Sequence, residues 1–209
     1  MKKLVICGAS GAGCETLELI EALNTGSRWD NVGFSEVTAT QGQTLLGYYV
    51  MSDDDLLSRA EPIDAVISVG FPELRKRIYG KLSQNPNIHF PPIVHPSSYV
   101  SRRANLSDAV LIGAFCGVSP DAVLGRGVFL NGRVGIGHDS TVGDFSVIMP
   151  GSSISGNVNI GDNVLIGAGS VVVPGLNIGN NAVICAGSVV LRDVKDGSKV
   201  IGNPAKAIG

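Results

Sequence analysis

The sequence predicts a two-part chain: a small α/β domain with a parallel sheet, followed by a solenoid of short parallel strands. Three observations carry this. Strand, glycine turn and helix alternate through about the first ninety residues. A stretch with three prolines, Asn85 to Pro92, then intervenes. From Val94 onward an aliphatic residue recurs at every sixth position. The boundary is accordingly expected at 1–92 for the α/β domain and 93–209 for the solenoid.

In chain order, Lys2 to Cys7 (KKLVIC) reads as a short buried strand, and Gly8 to Gly13 as a tight glycine turn. Glu15 to Leu23 carries apolar residues at helical spacing. Ile63 to Val69 is a second clear strand and Glu73 to Leu82 a second helix. This alternation implies a parallel sheet with helices packed on it. Asn85 to Pro92 reads as a linker.

The second half is a repeat. Stepping by six from Val94 to Val190 meets seventeen positions, and all are Val, Leu or Ile. About half would be apolar by composition alone. Four residues after the anchor the side chain is usually small, as at Ser98, Cys116, Ser140, Ser152 and Ser188. Glycine is frequent directly after it, as at Gly113, Gly137 and Gly161. A six-residue period is a short strand plus a turn: the anchor points inward, the small residue fits beside it, and glycine is expected to supply the special turn dihedrals. Three such strands close a triangular coil of about 18 residues. About five coils, stacked at about 4.8 Å, make a prism roughly 25 Å tall.

Composition narrows the function. Hydrophobic residues are 44% and charged residues 16%, which suits a packed core. Glycine, with 28 residues, is nearly twice its usual share of about 7%. Sixteen basic and 18 acidic residues give a net charge of −2 with no basic run, so nucleic acid is not an expected partner. No long apolar run and no signal peptide are read, which predicts a cytoplasmic protein without a membrane partner. The four cysteines, Cys7, Cys14, Cys116 and Cys185, form no CxxC and are expected as buried, reduced thiols.

Three histidines are present, His89, His95 and His138, and only His138 lies well inside the coils. That supply is too small for a three-histidine zinc site, so no metal is expected. An imidazole with a pKa near 6.5 suits a general base; a surface turn histidine is the plain alternative. Asp53-Asp54-Asp55 reads as a helix N-cap cluster. The GxxGxG turn is not the dinucleotide GxGxxG, which disfavours an NAD enzyme. It can still cradle a pyrophosphate at a helix N-terminus.

The hexads, in the style [LIV]-G-x-x-[small]-x, resemble the left-handed parallel β-helix of hexapeptide-repeat acyltransferases over residues 94–209. With the glycine-turn domain in front, the whole chain resembles the NeuD/PglD-type sugar O-/N-acyltransferases: an α/β Rossmann-like N-terminal domain followed by that β-helix. The resemblance implies an acetyl-CoA (acyl-CoA)-dependent N-acyltransferase. It would act on the amino group of a nucleotide-linked amino sugar in bacterial surface-glycan biosynthesis, as a homotrimer. The same resemblance also accommodates a sialic-acid-type O-acetyltransferase or a non-catalytic nucleotide-sugar-binding relative.

By this resemblance, Ile136-Gly137-His138-Asp139 contains the family's His–acid pair, with His138 as general base and Asp139 orienting it. Asn131 corresponds to a substrate-side asparagine, and the amide of Gly156 to the group that meets the thioester carbonyl. Gly167, Ala168, Ala186 and Gly187 would line the pantetheine, and Pro204 and Lys206 the far end of CoA. Gly8, Ala9, Ser10, Gly11 and Gly13, with Ser35, Glu36 and Arg75, would hold the nucleotide sugar. Ala12 and Val147 stand where related sequences carry histidine, and Phe71-Pro72 where they carry polar residues.

Overall fold

The computed structural model describes residues 2–23 and 28–208. The N-terminal elements are β1 (Lys3–Cys7), α1 (Gly11–Leu23), β2 (Asn31–Glu36), β3 (Thr44–Leu45), β4 (Tyr48–Ser52), α2 (Asp53–Leu57), β5 (Ile63–Ile67), α3 (Pro72–Leu82) and β6 (Ile88–His89). The sheet order is β3-β4-β2-β1-β5-β6. All neighbours are parallel except the β3–β4 hairpin. β1 is central and its residues Leu4 to Cys7 are buried, which is why KLVIC reads as an unbroken apolar run. α1 begins four residues before the apolar spacing shows, inside the glycine turn. α3 begins at Pro72, whose missing N–H costs nothing at a first helical position.

The expected linker is partly sheet. β6 lies within it and pairs with β5, Ile63 opposite Ile88. Phe90, Pro91 and Pro92 then carry the chain to the first solenoid strand, Ile93–Val94. From there strand neighbours are parallel and eighteen residues apart, as in Val118 opposite Ile136 and Val142 opposite Ile160. Among the described residues the three faces hold seven, six and five parallel strands, and Lys206–Ala207 closes the first face antiparallel. The solenoid therefore runs past the last hexad anchor. It does so by shortening its final coil: Ile178 meets Val194, and Val183 meets Lys199, sixteen residues on.

The anchors fill the interior, with Ile112, Leu124, Leu130, Ile148, Ile166 and Ile184 fully buried. The small serines between them are also buried, and each ties coils together. Ser140 Oγ donates to the Ser155 carbonyl at 2.9 Å and accepts from the Val158 N–H at 3.1 Å. The glycines directly after the anchors do not supply the special dihedrals expected of them. Positive φ falls two residues later, at Phe115 (58°), Asp121 (61°), Asp139 (57°) and Asn157 (57°). Glycine follows the anchor because the next coil passes too close: a Cβ on Gly137 would sit 2.4 Å from the Gly156 nitrogen.

The two parts share a core. Leu4, Ile6, Leu17, Ile20 and Phe34 pack with Ile93, Leu111, Phe129 and Val147 from the first solenoid face. Val147 is fully buried there, in contact with the α/β domain rather than at an open site. Arg75 pins the junction. It is fully buried, and its guanidinium donates to the carbonyls of Gly127 (2.8 Å), Ile67 (2.6 Å) and Val69 (3.0 Å). The ring of Phe129 lies 5.2 Å from the guanidinium carbon. Burial pulls the Arg75 pKa down to about 9, which leaves it charged at neutral pH. No helix among the described residues is long and apolar enough to cross a membrane.

Candidate functional site

Two places in the fold collect the residues singled out in the sequence. The first is a crevice at the carboxyl ends of β1, β2 and β5, about 580 Å³ in volume. In an open parallel sheet this is where ligands settle. Gly8, Ala9, Ser10 and Ala12 line one end, at the start of α1, and Ser35 and Glu36 line the wall. The turn is held by paired hydroxyls: Ser68 Oγ donates to the Ala12 carbonyl and lies 2.6 Å from Thr16 Oγ1. Gly8 needs its glycine, with φ at 117° and a would-be Cβ 3.0 Å from the Ser68 carbonyl oxygen. Gly13 lies against Gly8, where a Cβ would fall 2.0 Å from the carbonyl oxygen, so the turn requires a glycine there. Gly11 is open to solvent.

Arg75 does not face this crevice. Its donors are spent on backbone carbonyls at the domain junction, so the expected substrate contact is replaced by a structural one. Arg77 and Lys81 from α3 line the crevice instead, with Asp53 opposite. Sequence reasoning missed these three. The helical spacing of α3 shows that residues 74, 77, 78 and 81 share one face, but which face meets the crevice depends on packing.

The second place is the turn between the second and third solenoid faces. His138 and Asp139 are neighbours in sequence, and side chains of neighbours ordinarily diverge. Here Asp139 adopts a left-handed φ of 57°, which brings its carboxylate back to the imidazole: Nδ1 to Oδ2 is 2.7 Å. A carboxylate only accepts, so Nδ1 is the donor of this bond, and in the neutral imidazole Nε2 is then the acceptor. The ring rests on Gly156, one coil below, where a Cβ would stand 2.7 Å from Nε2. The His138 carbonyl accepts from the Asn157 N–H at 2.9 Å, which fixes the turn. Both side chains are more than half exposed. A basic nitrogen, its orienting carboxylate and a bare backbone therefore meet at one open corner.

The remaining residues lie along a different edge of the prism, between the first and second faces. Ala168 and Ala186 stack one coil apart there and are exposed. Gly151, Gly169 and Gly187 form a column with positive φ, and a Cβ on any of them would meet nothing within 4 Å. Gly167 is tight instead, its would-be Cβ 2.4 Å from the Ala186 nitrogen. The C-terminal segment closes the same edge: Val189 N–H donates to the Gly202 carbonyl, and Ala205 N–H to the Val189 carbonyl. Exposed Pro204 and Lys206 follow. An open column of Gly and Ala ending in a lysine suits a thin chain with an anionic terminus. Asn131 stands higher on this edge, in a cleft with Glu15, Glu18 and His95, and its Oδ1 accepts from the Gly132 N–H at 2.7 Å. Within one chain, Asn131 and the column border the second face on one side, and His138 and Gly156 border it on the other. Among the described residues no group of three or more His, Cys, Asp or Glu side chains is placed to hold a metal ion.

Comparison with known proteins adds the following. The PglD N-terminal domain family matches residues 3–82. The bacterial transferase hexapeptide (six repeats) family matches 139–174, and the hexapeptide repeat of succinyl-transferase matches 157–192. No curated protein matches. The acetyltransferase domain of PglB from Neisseria gonorrhoeae, solved in complex with acetyl coenzyme A, is 30% identical over 99% of each chain, with a TM-score of 0.91. WeeI from Acinetobacter baumannii is 25% identical over the whole of both chains, with a TM-score of 0.92. A variant of perosamine N-acetyltransferase from Caulobacter crescentus, in complex with CoA and GDP-perosamine, is 26% identical. That alignment covers 100% of this chain and 98% of the other, with a TM-score of 0.89.

Proposed function

The chain belongs to the NeuD/PglD-type sugar acyltransferases, and from that premise we propose that it transfers an acetyl group from acetyl-CoA to the amino group of a nucleotide-linked amino sugar. The observation that carries the proposal is the His138–Asp139 pair resting on Gly156. His138 Nε2 accepts a proton from the amine as its nitrogen bonds to the thioester carbonyl carbon. Asp139 holds the imidazole in the tautomer that can do this and stabilises the imidazolium that forms. The Gly156 N–H would donate to the developing oxyanion. As the carbon–sulfur bond breaks, the imidazolium returns its proton to the departing thiolate, so atoms and charge balance.

The open column through Gly169 and Gly187 fits the pantetheine arm, and Lys206 the phosphate end of CoA. That column and His138 stand on opposite borders of the second face. A second copy would bring its own column beside His138, which is why a homotrimer with its sites between copies is part of this reading. The crevice beside α1 would hold the nucleotide. The reaction would be a cytoplasmic step of bacterial surface-glycan assembly.

A sugar hydroxyl could use the same base. The relative that carries GDP-perosamine and is described as an N-acetyltransferase favours the amine. The test is release of free thiol from acetyl-CoA against a panel of GDP-, UDP-, dTDP- and CMP-linked sugars, each as the amine and as the corresponding hydroxyl. Thiol release with an amino sugar supports the proposal; release only with hydroxyl acceptors, or with none, contradicts it.

A further inference from the structure

The crevice has a second polar end that the glycine turn does not account for. The strand register places Cys7 opposite Ser35 and Ser35 opposite Met51, so these three form a row across β1, β2 and β4. Asp53 follows Met51 by two positions and lines the crevice with Cys7 and Ser35. Two of the polar groups there lack a protein partner. Ser35 is 1% exposed and its hydroxyl finds no hydrogen bond of ordinary geometry, only the Cys7 thiol beside it. Asp53 is 9% exposed, and no described residue donates to its carboxylate. The nearest cation, Lys81, is committed to Asp54 at 2.8 Å. The helix cap is also supplied elsewhere, by Ser52 Oγ accepting from the Asp55 N–H. Asp53 lies in the first turn of α2, as expected of this acidic run, but its carboxylate makes no capping bond.

A carboxylate on the crevice wall with no protein donor has its acceptors open to a ligand, and a ligand that covers it must supply donors in place of water. The chemistry of the missing ligand follows from what would satisfy it. A carboxylate has two acceptor oxygens side by side and is best met by two adjacent N–H groups. Among nucleobase edges only guanine offers that pair, at N1–H and the 2-amino group, next to an oxygen at C6. Uracil and thymine offer one N–H between two carbonyl oxygens. Adenine and cytosine offer an amino group beside a ring acceptor. Each of those four bases would turn a lone pair toward Asp53. The Ser35 hydroxyl is free to donate to the guanine C6 oxygen. The apolar side chains of Val37 and Phe71, exposed at the crevice mouth, offer surfaces for the ring faces.

We propose that this crevice selects a guanine nucleotide, with Asp53 accepting from N1–H and the 2-amino group and Ser35 donating to the C6 oxygen. This rests on the reading of the chain as a nucleotide-sugar acetyltransferase and names the nucleotide. The phosphates would then run toward the start of α1, where the first-turn N–H groups suit an anion.

The test is calorimetric titration of the full chain with GDP, IDP, UDP and ADP. IDP is GDP without the 2-amino group. GDP is expected to bind about tenfold or more tightly than IDP, and more tightly still than UDP or ADP. Asp53→Asn should cut GDP affinity about tenfold while leaving UDP within about twofold. Ser35→Ala, which keeps the carboxylate, should weaken GDP and IDP alike. Thermal melts of both variants confirm that they fold. Equal binding of GDP and IDP, tighter binding of UDP, or an equal loss of every nucleotide in Asp53→Asn would overturn the assignment while leaving the acetyltransferase reading intact. Absence of binding by all four would overturn both.

Discussion

Gly156→Ala isolates the geometry of the proposed base. The backbone tolerates the change, because φ at this position is not in the left-handed region. The added Cβ, however, would stand 2.7 Å from both Cε1 and Nε2 of His138 and 3.1 Å from Cδ2. Carbon atoms rest at about 3.5–4.0 Å, so the ring must retreat by roughly 0.8 Å or more. Within one chain the imidazole is 63% exposed, so it can swing away at little cost to the fold. The 2.7 Å bond to Asp139 would be broken or bent in the process. A displacement approaching 1 Å at the reacting atoms costs about a hundredfold in rate. Thiol release from acetyl-CoA should therefore fall about a hundredfold in kcat, with the melting temperature within about 2 °C of the parent. The double variant Gly156→Ala, His138→Ala should be no slower than His138→Ala alone, since both act through one group. Activity within about threefold of the parent, or losses that multiply in the double variant, would refute this account of Gly156.

Two further predictions concern the scaffold. Arg75→Leu should cost about 3 kcal/mol, because it strips the donors from buried carbonyls on both sides of the domain junction. The melting temperature should drop by roughly 10 °C, and an unchanged melt would contradict the structural role assigned to Arg75. Cys7 is buried and its pKa is pushed up from 9.0 to about 12, first by desolvation and then by the charge of Asp53. The unfolded thiol ionises first, so this group's contribution is intact below pH 9 and is lost as pH rises toward 12. Urea titrations should show the parent losing up to about 1.4 kcal/mol per pH unit relative to Cys7→Ala within that window. Parallel pH dependence of the two proteins would contradict it. Cys7 should also resist alkylation at pH 8 in the folded chain, whereas Cys14 and Cys185 are only partly covered.

Much of this was legible in the residues. The hexad anchors specify three faces and an eighteen-residue register, because an inward aliphatic at every sixth position has few other solutions. The closing coil was not legible, since its shortening by two residues breaks the count that revealed the rest. The glycines after the anchors were read as turn formers, although what they provide is clearance for the next coil. Nothing in a linear spacing distinguishes these two uses of a missing Cβ. His138 and Asp139 stood out by chemical type, but their contact depends on one left-handed residue that sequence alone does not announce. The family resemblance implies a substrate contact for Arg75, and the acidic run Asp53–Asp55 is expected at a helix N-terminus, where it forms the first turn of α2. The fold buries the arginine at the domain junction instead, and it also places Asp53 on the wall of the crevice. Both outcomes depend on which face of a short helix meets its neighbours, a matter of tertiary packing. β6 was hidden because two strand residues among three prolines carry almost no periodic signal.

The central claim is that His138 removes the proton as the acceptor attacks. The measurement closest to it is single-turnover acetyl transfer to a nucleotide-linked amino sugar by the parent and by His138→Ala, with CoA binding measured in parallel. The account predicts a loss of about a thousandfold or more in the transfer rate at unchanged CoA affinity and melting temperature. Transfer by His138→Ala within about tenfold of the parent would contradict it.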